Sequence, residues 1–120
     1  MDNYSIFEPK SIDAAYIIAL TELVNACRAY RVEINKVNHF QNGFHVTFKG
    51  FPHADAICHD HSYGSPCYGA IFDDMKHQNN WDIEDVHWET IGFPWDGNDV
   101  TVHSAIEIAA MISAINHGND

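Results

Sequence analysis

Positive charge is scarce in this chain and stops early. Its 120 residues contain six Lys and Arg against 17 Asp and Glu, which gives a formal net charge of −11. No Lys or Arg follows Lys76. Phosphate backbones are bound by clustered basic side chains, and anionic membrane surfaces attract basic segments. The sequence therefore argues against direct binding to nucleic acid or to a membrane surface.

Long apolar runs and a disulfide framework are also missing. No run approaches the roughly 20 apolar residues that cross a bilayer, and the first ten residues lack the basic and apolar regions of a secretory signal. The chain has three cysteines, and an odd number does not suit a disulfide framework in which every cysteine is paired. Cys58 and Cys67 nevertheless lie near enough in sequence to form one disulfide. We expect a cytoplasmic protein with a single domain over residues 1–120, because a chain of this length buries its own core.

The spacing of apolar residues predicts one helix near each end of the chain. In the first helix these residues recur at steps of three and four and so share one face: Tyr16, Leu20, Leu23, Cys27 and Tyr30. Near the C-terminus Ser104 and Glu107 fit a capping box. Residues 105–115 are apolar almost all round, so we expect this second helix to be largely buried.

The region between the helices has the pattern of β-strands. Asn42-Gly43 accepts the positive φ of a type I′ hairpin turn, and apolar residues alternate with polar ones after it. Shorter strand patterns follow at 55–63, 67–72, 86–90 and 100–102, with Trp88 a core residue. The order of these helices and strands along the chain predicts an α+β fold. We expect a two-layer sandwich in which an antiparallel sheet of about four or five strands carries the N-terminal and C-terminal helices on one face.

Negative charge is concentrated in the second half of the chain. Residues 1–53 hold five acids and five bases, whereas residues 54–120 hold twelve acids and one base. Such a field attracts a basic partner. Carboxylates spaced over a sheet and a loop would stand in for phosphates, and an exposed aromatic residue would anchor the contact. The candidate docking residues are Asp73, Asp74, Trp81, Asp82, Glu84, Asp85, Glu89, Asp96 and Asp99.

A metal site is a second hypothesis. His59 and His61 are two residues apart and would share one face of a strand, and a nearby cysteine or aspartate would complete a ligand set that zinc accepts. A metal-dependent enzyme or a metal-binding protein is therefore an alternative. The chain has no Gly-rich phosphate loop, no G-x-S-x-G and no H-E-x-x-H motif. We assign no catalytic residue and no cofactor.

In its general profile, which is short, acidic, α+β and without a catalytic motif, the chain resembles small phage-encoded inhibitors of host defence, including anti-CRISPR proteins. The resemblance is one of size and charge over the whole chain and carries over no functional residue. It implies an inhibitor in the host cytoplasm, in some cases a DNA mimic, that docks on the basic surface of a nucleic-acid-binding protein such as a CRISPR effector. A self-associating structural module is the third hypothesis, because the apolar helices leave room for a contact patch between copies.

Overall fold

The described residues form an antiparallel sheet of five strands with helices on one face. The computed structural model describes residues 12–40, 43–59, 62–63 and 86–117. In chain order the elements are α1 (Ile12–Ala29), β1 (Ile34–Phe40), β2 (Gly43–Phe48), β3 (Phe51–Cys58), β4 (Trp88–Ile91), β5 (Thr101–His103) and α2 (Ala105–His117). Each strand pairs with the next, so the sheet order is β1-β2-β3-β4-β5. The predicted α+β fold is confirmed.

Helix α1 buries the face that its apolar spacing predicts. Tyr16, Leu23 and Cys27 are all buried. Tyr30 is 40% exposed instead, because the helix ends at Ala29.

A Schellman motif ends α1. The N–H of Val32 donates to the carbonyl of Cys27 at 2.8 Å, and the N–H of Arg31 donates to that of Arg28 at 3.3 Å. Arg31 has a φ of 60°, so an arginine occupies the left-handed position that usually holds glycine.

The β1–β2 hairpin is confirmed, but Gly43 has another role than the one predicted. Phe40 pairs with Gly43, so only residues 41 and 42 connect the strands, and Gly43 is not among the residues with positive φ. A Cβ atom on Gly43 would lie 2.0 Å from the carbonyl oxygen of Cys58 on β3. Glycine is needed there because two backbones approach closely, not because of the turn.

Strand β3 begins earlier than its sequence pattern predicts. It starts at Phe51 rather than at residue 55, and Lys49 and Gly50 form the turn that precedes it. Gly50 takes the positive φ, at 89°. Pro52 is exposed near the beginning of the strand, a position where a missing N–H is tolerated. The strand predicted at 67–72 lies outside the described residues.

The two faces of the sheet differ in character. The face under the helices carries buried side chains such as Val46, Ala56 and Trp88, which form one core cluster with Leu23 of α1 and Ile108 of α2. The prediction that Trp88 is a core residue is confirmed, at 1% exposure. The opposite face is not covered by α1 or α2, and we call it the open face.

The strand register defines which side chains belong to the open face. His45, Ile57, Glu89 and Val102 are paired in one row across β2, β3, β4 and β5. Alternation along each strand adds further members. These are Lys36, Asn38 and Phe40 of β1, Thr47 of β2, His53 and Asp55 of β3, His59 directly after β3, His87 directly before β4, and Ile91 of β4.

Helix α2 confirms the predicted capping box but is less buried than predicted. The N–H of Ser104 donates to Glu107 Oε1 at 2.8 Å, and the N–H of Glu107 donates to Ser104 Oγ at 3.2 Å. Ile108 and Ile112 are fully buried, whereas Ile106 is 63% exposed. One face of α2 therefore remains in solvent despite its apolar composition. Neither α1 nor α2 is long and apolar enough to cross a membrane.

Candidate docking surface

The structure describes three of the nine residues predicted to contact a partner. These are Glu89, Asp96 and Asp99, and they lie in three different environments. The others fall outside the described residues: Asp73, Asp74, Trp81, Asp82, Glu84 and Asp85. No geometry is assigned to them.

Asp96 lies inside the protein, at 4% exposure. Its Oδ1 accepts hydrogen bonds from the hydroxyls of Thr90, at 2.8 Å, and of Thr101. Its Oδ2 accepts the backbone N–H of Phe93 at 3.0 Å. This carboxylate holds the β4–β5 connection together and has no free surface, so we remove Asp96 from the docking set. The sequence alone does not reveal this, because an aspartate in a turn is usually exposed.

The network around Asp96 continues to α2 but is not arranged for catalysis. His103 Nε2 lies 2.7 Å from Thr101 Oγ1, and His103 Nδ1 lies 3.9 Å from a Glu107 oxygen. The order carboxylate, imidazole, hydroxyl resembles a catalytic triad. However, the Thr101 hydroxyl donates its only proton to Asp96, so the imidazole must donate to the hydroxyl and cannot act as its base. The network is structural.

Glu89 lies on the open face, between Ile57 and Val102 in the strand register. It is half-buried. Burial raises the pKa of its carboxyl group, while a hydrogen bond from the backbone of Tyr63 opposes that rise. A partly dehydrated carboxylate of this kind gains more from a cationic partner than a fully hydrated one does. Of the described residues in the predicted set, Glu89 is the best placed for docking.

Asp99 is exposed in the connection between β4 and β5. Its backbone N–H donates to the carbonyl of Asp96 at 3.1 Å, which closes the turn around Gly97. The side chain is therefore available to solvent from a fixed backbone position. Asp99 stays in the docking set as a residue at the margin of the sheet.

The topology places residues 62–63 and 86–87, which flank the undescribed stretch 64–85, at one end of the sheet. Strands β3 and β4 are antiparallel neighbours, so the end of β3 and the beginning of β4 lie side by side. Ser62 fixes the chain just after β3: its Oγ accepts the N–H of His59 at 2.9 Å and donates to the carbonyl of His59 at 3.0 Å. Tyr63 then contacts Glu89 through its backbone. Residues 62–63 therefore lie beside Glu89 of the open face.

The open face also contains a pair that the sequence analysis did not select. His45 Nε2 and Asp55 Oδ2 are 3.4 Å apart on β2 and β3, and both side chains are about one third exposed. Their alternation with buried neighbours is visible in the sequence, but their closeness depends on strand register, which is not. Asp55 and Glu89 are thus two carboxylates on one open surface.

The metal hypothesis finds no support among the described residues. His59 is half-buried beside the open face, and its ring lies 5.4 Å from that of Phe40 in an edge arrangement. His61 is outside the described residues. Within 12–40, 43–59, 62–63 and 86–117, no three His, Cys, Asp or Glu side chains are grouped so as to hold a metal ion.

The described cysteines are buried thiols. Burial raises the pKa of Cys27 to about 11 and that of Cys58 to about 12, because an apolar environment disfavours the thiolate. Both are free. Cys67, the partner considered for Cys58, is outside the described residues.

No protein-family model, no curated protein and no solved structure matches this chain.

Proposed function

We propose that this protein is a small acidic inhibitor that docks on the basic surface of a nucleic-acid-binding partner. Under this proposal it is a phage-type anti-defence protein, of the anti-CRISPR or a related kind, and acts in the host cytoplasm. Its carboxylates take the place of phosphates. The observation that carries the proposal is the charge distribution: twelve of the 17 acids lie in residues 54–120 beside one base.

The fold supports the proposal by presenting part of that charge on a rigid surface. Asp55 and Glu89 are on neighbouring strands of the open face, and Asp99 lies on the connection that follows β4. Five further acids lie between residues 63 and 86 in the sequence, and these two described residues are at one end of the same sheet. A rigid scaffold reduces the entropy that is lost on binding, and negative charge accelerates association with a basic partner.

The first test is capture of a partner from a host-type lysate on immobilised full-length protein. The proposal predicts retention of a nucleic-acid-binding protein that elutes at high salt, because exposed charges are screened within about 10 Å at roughly 0.1 M salt. Added DNA should displace it, since both would occupy the same basic channel. Retention that neither salt nor DNA disturbs contradicts the proposal.

The second test separates the position of the charge from its amount. The test variant neutralises four acids of the predicted docking segment: Asp74→Asn, Asp82→Asn, Glu84→Gln and Asp85→Asn. The matched control neutralises four acids of the first half of the chain: Asp2→Asn, Glu8→Gln, Glu22→Gln and Glu33→Gln. We expect affinity for the purified partner to fall about a hundredfold in the test variant and only a few-fold in the control, because contacts between close charges exceed screened ones. Equal losses would refute a localised docking surface.

A further inference from the structure

The open face alternates carboxylates with branched aliphatic side chains. In the strand register Glu89 lies directly between Ile57 and Val102, and Asp55 lies opposite Ile91. Ile91 is 43% exposed and Val102 is 38% exposed. Directly paired side chains have Cβ atoms about 5 Å apart. Each carboxylate therefore has an exposed or half-exposed apolar side chain beside it.

This alternation suits arginine better than any other cationic side chain. A guanidinium group forms two parallel hydrogen bonds with a carboxylate, and its three methylene groups cover apolar surface. A lysine ammonium is a compact, strongly hydrated charge that does not match the planar carboxylate in the same way. The half-burial of Glu89 strengthens the preference, since guanidinium is dehydrated more easily than ammonium.

We infer that the open face is the docking site for arginine side chains of the partner, with Asp55 and Glu89 as the carboxylates that bind them. This inference rests on the proposed function and adds to it the place on the molecule and the type of residue recognised. The occupant is an arginine-rich protein surface.

The test uses full-length protein and two short labelled peptides of equal length, one of arginine and one of lysine. At low salt and about pH 7.5 we expect the arginine peptide to bind about tenfold more tightly. The double variant Asp55→Asn with Glu89→Gln should lose this preference. The matched double variant Asp13→Asn with Glu22→Gln removes the same charge from α1, which lies on the other face of the sheet, and should keep it.

The outcomes distinguish this inference from the proposed function. Equal binding of the two peptides, or equal effects of the two acidic double variants, overturns the open face as the arginine site while leaving an acidic inhibitor in place. Failure of the wild type to bind either peptide at low salt overturns both the inference and the proposed function. The peptide preference of the wild type needs no variant, so misfolding cannot obscure it.

Discussion

At the scale of single residues, Arg31 shows a local conflict between sequence and structure. It ends α1 with a φ of 60°, a conformation in which the Cβ atom of an ordinary residue costs roughly 1–2 kcal/mol. Arg31→Gly should raise the free energy of unfolding by about 1 kcal/mol. Urea denaturation measures the change.

The control for this prediction is Arg31→Ala, which removes the same charge but keeps a Cβ atom. It should leave the stability close to that of the wild type. If the glycine and alanine variants are equally stable, conformational relief at Arg31 is not the cause.

Asp96 is the residue whose role differs most from its appearance in the sequence. Removing its carboxylate leaves two threonine hydroxyls and the N–H of Phe93 without their acceptor. Asp96→Ala should lower the free energy of unfolding by about 3 kcal/mol, the range for breaking a buried network of charge-assisted hydrogen bonds. Asp99→Ala, in the exposed part of the same turn, should change it by less than about 0.5 kcal/mol. Similar losses in thermal or urea melts would contradict the structural role of Asp96.

At the scale of elements, the pairing of β2 with β3 depends on the absence of a side chain at Gly43. A methyl group there would contact the carbonyl of Cys58 at 2.0 Å, so the strands must separate or shift. Gly43→Ala should cost about 3 kcal/mol, at the upper end of overpacking effects. Circular dichroism during urea unfolding measures the loss.

Gly50 supplies the comparison because a Cβ atom there meets nothing within 4 Å. Gly50→Ala retains only the strain of its positive φ and should cost about 1 kcal/mol. Were Gly50→Ala the more damaging change, close approach at Gly43 would not govern the pairing.

The sequence pattern predicts a helix or strand correctly where the conformation depends only on residues close together in the chain. The apolar spacing of α1 as far as Cys27, the Ser104–Glu107 capping box and the alternation around Trp88 appear in the structure as predicted. Sequence and structure disagree on α2, whose apolar composition predicts that the helix is largely buried. Burial requires a second layer against each face, and the described chain offers α2 only one, so Ile106 remains exposed.

At the scale of the whole molecule, the reactivity of the two buried thiols measures how often the core between the helices and the sheet becomes accessible to solvent. With pKa values of about 11 and about 12, Cys27 and Cys58 are thiolates to less than about one part in a thousand at pH 8. In a Cys67→Ser variant, a chromogenic disulfide reagent should therefore modify both only as the protein opens. The rate should rise with urea in parallel with unfolding.

An exposed thiol provides the reference rate for that experiment. Asp99→Cys in the Cys67→Ser background places a cysteine on the exposed turn after β4 and should react at once in native buffer. If Cys27 and Cys58 reacted as fast as this cysteine, the core between helices and sheet would be open on the time scale of the reagent.

The amino-acid sequence by itself determined the α+β class, the positions of both helices, the core role of Trp88 and the acidity of the second half. These properties follow from local spacing and composition, which act over a few residues. Only the tertiary structure decided that Asp96 faces inward, that Gly43 is needed for close strand approach, and that Asp55 and Glu89 share the open face with imidazoles. Those facts depend on the register between strands, and residues distant in the chain become neighbours only when the strands pair.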